Sequence, residues 1–207
     1  MELIEAIRCR RSTAPVTDAA PTDADLYEYL ALAAHSPDHA GLRPWRMVSL
    51  RGSDRERLGA ALAEGFGDPP GSPEAARTAA KALRAPLLLS IIATLVEHPK
   101  VPAWEQLAAT AALVSTLELV LFEAGWTAMW RSGPAVELAP VRQLIGVGNT
   151  EQLLGWLYIG GRTEIGPPAR PDPDVSGKIS ALPDTDTARL PGPTAHHPIV
   201  GAGLYRL

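Results

Sequence analysis

Ala85-Pro-Leu-Leu-Leu-Ser-Ile-Ile-Ala-Thr-Leu-Val96 is a continuous apolar run with β-branched residues at its centre. A half-exposed strand alternates apolar and polar residues, and this run does not. It therefore reads as a central strand buried on both faces. Pro99 and Pro102 break the chain after it, and a second apolar stretch follows from Trp104 to Ala124. Its apolar core, Leu107 to Phe122, is interrupted by Glu118 and flanked by Glu105, Gln106 and Glu123. A bilayer needs about 20 uncharged residues, so this stretch reads as a long buried core helix, with Gly125 as its terminating glycine. Helices and strands are interspersed along the chain, but short loops after some strands do not enforce a strict βαβ alternation, so the fold reads as α+β, with helices packed around a small central mixed or antiparallel sheet.

Upstream, Glu2 to Arg10 has helical apolar spacing. Thr22 is an N-cap for a helix from Asp23 to about His35, with Asp25 three residues on. Ser36 to Gly41 is loop chemistry. Arg46 to Leu50 reads as a strand, Arg55 to Glu64 as a helix and Gly67 to Pro73 as a loop. Ser72-Pro73-Glu74 then starts a helix running to about Arg84. Downstream, Trp126 to Trp130 is a short strand and Val136 to Ile145 a helix. Leu153 to Ile159 is a strand that Gly160-Gly161 stops.

Beyond Gly166, Pro and Asp become frequent and apolar periodicity ends. The expected organisation is one domain over residues 1–166 and a Pro-rich extension over 167–207. The extension cannot build a core, and a partner subunit is the natural surface for it to wrap. Ile199 to Leu207 is apolar again and is expected to dock.

Composition narrows the partners. The 207 residues carry a net charge of -4 and no dense basic run, which argues against nucleic acid. Any anion must be held by a few placed arginines. The single cysteine, Cys9, makes no internal disulfide, and the N-terminal segment lacks the apolar core of a signal peptide. The expectation is a cytoplasmic protein without membrane association.

Several familiar motifs are missing. There is no phosphate-cradling G-x-x-x-x-G-K-[ST] loop. Gly146-Val-Gly148 lacks a third glycine and a strand-to-helix setting. Ser132-Gly133 lacks the first glycine of a nucleophile elbow. His196-His197 lies in the Pro-rich tail without a nearby ligand partner, so no metal site and no protein nucleophile are expected. What stands out is polar chemistry that folding does not require. Arg10-Arg11-Ser12 closes the first helix. Cations there complement the helix dipole; alternatively they form a site for a phosphate and a polar ring edge. Trp130-Arg131-Ser132-Gly133-Pro134 ends a strand with an arginine, a hydroxyl and an exposed glycine amide. It is either a charged turn or an anion-recognition corner. Ser36-Pro37-Asp38-His39 is a histidine-bearing loop that leads into Arg43-Pro44-Trp45-Arg46.

Taken with Arg84-Ala85-Pro86, Lys100-Val101-Pro102, Trp104-Glu105-Gln106 and Leu157-Tyr158, these motifs resemble the nitroreductase family of FMN enzymes, in its short YdjA-type branch. The order and spacing hold from residue 1 to about 162. The resemblance implies a homodimer with FMN at the interface. It implies that Arg10, Arg11 and Ser12, together with Arg131, Ser132 and Gly133, hold the flavin. His39 and position 35 would act across the interface on the flavin of the other subunit. Leu121 to Trp126 is similar to a segment assigned to the nicotinamide nucleotide. The chain departs from the branch at His35, where an arginine stands, and at Arg43, usually glutamine. The implied activity is hydride transfer from NAD(P)H through FMN to a nitroaromatic, a quinone or a similar electron-poor acceptor, with chemistry that belongs to the cofactor. Two alternatives remain open: FMN binding without nicotinamide turnover, and oxidative chemistry on a small metabolite.

Overall fold

Leu87–Thr94 forms β2, whose first seven residues are buried, as an apolar run between two packed layers requires. β2 is flanked by β1, Trp45–Arg51, and by β4, Glu151–Gly161. β3, Trp126–Arg131, completes a four-stranded sheet of order β1-β2-β4-β3. Every pairing is antiparallel. The computed structural model describes residues 3–13, 15–163, 171–180 and 182.

The helices that cover the sheet are α1, Leu3–Cys9; α2, Asp23–Ala33; α3, Ser53–Phe66; α4, Pro73–Ala79; α5, Ala103–Glu123; and α6, Ala139–Ile145. The chain divides into two compact units, Met1–Arg170 and Pro171–Leu207. In the second unit the described residues are exposed, with a turn in which Lys178 N–H donates to Val175 C=O. Ile199 to Leu207, His196 and His197 lie outside the described residues.

Each sheet face carries its own core. On one face Leu88, Ile92, Leu153, Trp156 and Tyr158 meet Leu58 and Leu62 of α3 and Val141 and Ile145 of α6. On the other, Leu87, Leu89, Ile91, Leu157 and Ile159 meet Ala33 of α2 and Leu113, Val114, Leu117 and Leu121 of α5. Trp45 and Trp130 pack against this second core. The alternation in β4 changes phase at Leu154–Gly155. Ile91 pairs with Gly155 but Ile92 pairs with Leu153, so the strand holds one extra residue. Such a bulge moves every later side chain to the opposite face. It turns Trp156 and Tyr158 towards α3.

α5 has the length and apolarity of a membrane span, but it packs on the sheet. It buries one face: Leu113, Val114, Leu117 and Leu121, with the polar Gln106, Thr110 and Glu118. Leu107, Ala111, Leu119 and Val120 are only half-buried, so the core helix is one-sided within a single chain.

Two details differ from the sequence reading. Val136 to Ile145 is not one helix: a short 3-10 turn at Pro134–Glu137 is separated from α6 by Leu138, which is extended. Pro140 accounts for the break, because it lacks an N–H and crowds the backbone before it. Gly160 and Gly161 do not stop β4; they are its last two residues. They leave room for the segment after the Arg-Arg-Ser motif. A Cβ at Gly160 would strike Val16, and one at Gly161 would strike the Thr17 side chain. Thr17 N–H donates to Gly161 C=O (2.9 Å), and Gly161 N–H to Ala19 C=O (2.8 Å).

The open end of the sheet is tied by a two-pronged ion pair. Arg46 on β1 donates from Nε to Glu151 Oε1 (2.6 Å) and from Nη2 to Oε2 (2.7 Å). Gly148 N–H adds a bond to the same carboxylate (2.8 Å). The Arg46 bonds, outweighing the modest burial, lower the Glu151 pKa to about 2. A depressed carboxylate stabilises the fold fully above its ordinary value of 4.5 and ceases to do so as pH falls towards 2. Replacing Glu151→Gln should therefore cost about 1 kcal/mol at pH 7, since the pair borders solvent. It should also flatten the acid limb of stability between pH 4.5 and 2. Urea midpoints across that window check this; parallel curves for the two proteins would remove the pair from the account.

Candidate functional site

α1 is short and ends in Arg10-Arg11, whose two side chains do different work. Arg11 is buried, and its Nη1 donates to the carbonyls of Arg8 (2.6 Å) and Arg10 (2.9 Å). It thus satisfies carbonyls left open at the helix end, in the manner of a C-terminal cation. Arg10 reaches across to α5, with Nη1 at 3.4 Å from Glu118 Oε1. Burial pushes the Glu118 carboxyl upward, and Arg10 opposes that shift. Ser12 follows, exposed, and the chain continues to its seat on Gly160-Gly161.

That course brings the segment just past the first arginine-serine motif to the second. Thr13 and Val16, just past Ser12, line a narrow hollow with Arg84, Arg131 and Tyr158. Arg84, Arg131 and Tyr158 also line a wider hollow of about 270 Å³, which adds Lys81, Ser132 and Trp156. The two hollows share three residues. Arg131 stands at the end of β3 with its guanidinium 5.3 Å from the centre of the Tyr158 ring. This is cation–π range. Gly133 follows with φ 123°, a backbone conformation that only glycine takes without strain, and a Cβ there would meet open space.

The chemistry of the wider hollow is one-sided. Lys81, Arg84 and Arg131 are cations. Burial raises the Tyr158 pKa, and Arg131 and Arg84 only partly offset this, so the phenol stays a protonated donor. Trp156 Nε1 is buried without a hydrogen-bond partner, and so is Ser90 Oγ on the paired position of β2. Nearly every polar group here offers hydrogen or positive charge. Such a surface suits a flat ligand rich in acceptor oxygens and nitrogens.

The predicted histidines lie apart: His35 adjoins Ser36, which bonds Thr116 of α5, and His39 lies at the start of α5. His35 is exposed just beyond α2. His39 is exposed in a short 3-10 turn, and its Nδ1 lies 2.7 Å from Glu105 Oε2. Glu105 and Glu118 are thirteen residues apart on one helix, which separates the places where His39 and Arg10 meet it by about 20 Å along the axis. Among the described residues, therefore, the segment after Arg10-Arg11-Ser12 reaches the Arg131 motif, whereas His39 meets the end of α5 opposite to Arg10.

Sequence reasoning did not assign roles to Lys81, Arg84, Tyr158, Trp156, Glu105 or Glu118. For Lys81 and Arg84 a signal existed: two cations immediately before a wholly buried strand. For Trp156 and Tyr158 none did, because simple alternation from Leu153 would turn both towards α5.

Residues 7–161 match the nitroreductase family. YdjA of Escherichia coli (strain K12), named by inference as an NAD(P)H nitroreductase, is 32% identical over 163 residues, covering 77% of this chain and 88% of that protein. A nitroreductase-like protein from Bacillus cereus superimposes with TM-score 0.77 at 23% identity, over 88% of this chain and 96% of that one. A Bacteroides fragilis NCTC 9343 nitroreductase with bound FMN superimposes with TM-score 0.66 at 18% identity, over 88% and 100%.

Gly155 links the fold to the hollow. Its φ is 126°, and a Cβ there would run into the Arg131 carbonyl oxygen and Trp130 Nε1. Gly155→Ala should destabilise the protein by about 2–4 kcal/mol, through left-handed strain and displaced backbone. It should also widen the distance between Arg131 and Tyr158. Denaturation and a crystal structure of the variant check the two effects; an unchanged midpoint would refute the role given to the bulge.

Proposed function

The chain belongs to the nitroreductase family, and from that premise we propose that it is a homodimeric FMN enzyme. In this reading it takes hydride from NAD(P)H and reduces an electron-poor acceptor such as a nitroaromatic or a quinone. The observation that carries the reading is the donor-rich hollow lined by Arg131, Ser132, Lys81, Arg84 and Tyr158, with Thr13, just past Arg10-Arg11-Ser12, lining the narrower hollow that shares Arg131.

The residues fit the group. An isoalloxazine presents oxygen and nitrogen acceptors at one edge, and the hollow presents cations and a protonated phenol. When bound, FMN supplies the hydride chemistry, accepting from the nicotinamide and donating to the acceptor. The protein supplies binding and charge. Arg131, with Lys81 and Arg84 near it, stabilises negative charge at the ring edge and favours the reduced state. Gly133 offers an open backbone, so a planar ligand can approach closely. Arg10 and Ser12 hold the phosphate, whose charge of nearly two demands a cation. Arg11 fixes the end of α1 and so the direction of Arg10.

Two features support the dimer. One is the second, half-buried face of α5, together with exposed Leu3, Ile4 and Ile7 on the adjoining α1. A contiguous apolar surface of this kind is what a partner subunit covers. The other is the separation of His39 from Arg10, which suits His39 to the flavin of the second subunit.

The purified protein should be yellow or become so with added FMN, and NADH or NADPH should bleach it anaerobically. Arg131→Ala should weaken FMN binding about 10–100-fold, the scale of one charge-assisted hydrogen bond removed from a buried edge. Protein that stays colourless with added FMN refutes the reading. Binding without bleaching by either nucleotide would favour a flavin carrier.

A further inference from the structure

His39 does not hang freely from its loop; the loop is fastened to α5 at three places. Ser36 Oγ donates to Thr116 Oγ1 (2.7 Å), Thr110 Oγ1 donates to the Pro44 carbonyl (3.0 Å), and His39 Nδ1 meets Glu105 Oε2 (2.7 Å). Inside the loop, Arg43 N–H donates to Asp38 Oδ2 (2.6 Å). Ala40 and Arg43 take φ of 64° and 48°, a region that non-glycine residues occupy at a cost of about 1 kcal/mol each. Such conformations persist only where the surroundings over-determine them, and they gather at ligand-binding sites. The first turn of α5 is equally fixed. The buried Gln106 exchanges hydrogen bonds with both backbone groups of Val96 (3.0 and 2.8 Å) and donates to Val101 C=O (3.1 Å). Glu105 therefore projects from an immobile backbone onto a loop that is itself held in place.

From this arrangement we infer that Glu105 is the positioning residue of His39. A carboxylate accepts only, so the short approach places the hydrogen of a neutral imidazole on Nδ1. Nε2 is then left with its lone pair, on a side chain that is 54% exposed. The bond made by one ring nitrogen thus sets what the other can do. In its neutral form His39 therefore acts as a hydrogen-bond acceptor, and the ligand group that form meets is a donor: a hydroxyl or a ring N–H, not a phosphate oxygen. This assignment rests on the flavin reading for the identity of the ligand, since a ribityl chain and a flavin ring carry both donor types. The histidine form itself does not depend on that reading.

The test is ¹⁵N–¹H correlation of the ring nitrogens in full-length protein labelled at histidine, at pH 8.5, well above the ordinary imidazole pKa of about 6.5. A His39→Asn sample identifies the signal. Wild-type His39 should carry its hydrogen on Nδ1 without any ligand. Glu105→Ala should shift it to Nε2, while Glu105→Gln, whose amide oxygen still accepts, should keep the wild-type pattern. FMN affinity should fall about tenfold in Glu105→Ala and less than threefold in Glu105→Gln, the scale of a missing orienting partner. Hydrogen on Nε2 in the wild type, or a pattern unmoved by Glu105→Ala, overturns the proposal. The expected nitrogen pattern in protein that takes up no FMN supports the Glu105 assignment and overturns only the flavin reading.

Discussion

One extra residue in β4 organises the interior. Without the bulge at Leu154–Gly155, Trp156 and Tyr158 would point into the layer of α5, and the end of β3 would have no aromatic floor beside it. With it, the phase shift brings Tyr158 beneath Arg131. The missing Cβ at Gly155 lets the Arg131 carbonyl come close, and Trp130 Nε1 donates to Leu154 C=O across the same step (3.1 Å). A packing irregularity and a cation's position are therefore the same event, described at two levels.

α5 plays the complementary role. Its apolar face is the wall of one core, and five of its polar residues hold other segments. Gln106 fixes the preceding loop, Thr110 and Thr116 hold the histidine loop, Glu105 meets His39, and Glu118 meets Arg10. Buried polar groups are tolerated where their bonds are made, and here they are made to segments distant in sequence. The helix sets the spacing between the two ends of the candidate site.

Much of this was legible in the residues. The apolar run of β2, the Thr22 cap and the C-terminal glycine of α5 each had a local signature, and each element formed within a few residues of its expected place. The antiparallel sheet followed less directly, since the pairing of distant strands leaves no mark in one short segment. The motifs at Arg10 and Arg131 were visible as polar groups in excess of need, but the approach of the segment after the first to the second was not. It depends on Thr13 and Val16 lying near β4, and the glycines that permit this look like a strand terminator. Arg11 shows a limit of another kind. Its side chain satisfies helix carbonyls, a use that a linear motif cannot distinguish from ligand binding. Lys81 and Arg84 stood out as cations ahead of a buried strand, but only the fold sets them beside Arg131, nearly fifty positions later.

The seat of residues 16–19 on Gly160-Gly161 also bears on timing. These glycines end the final strand of the sheet, so a segment made early has no docking place until that strand has left the ribosome. Non-local pairing of this kind slows folding. The Arg-Arg-Ser corner cannot be assembled on a nascent chain that stops short of β4. A cell would gain a competent site only late in synthesis, when the two extremities of the domain close on each other.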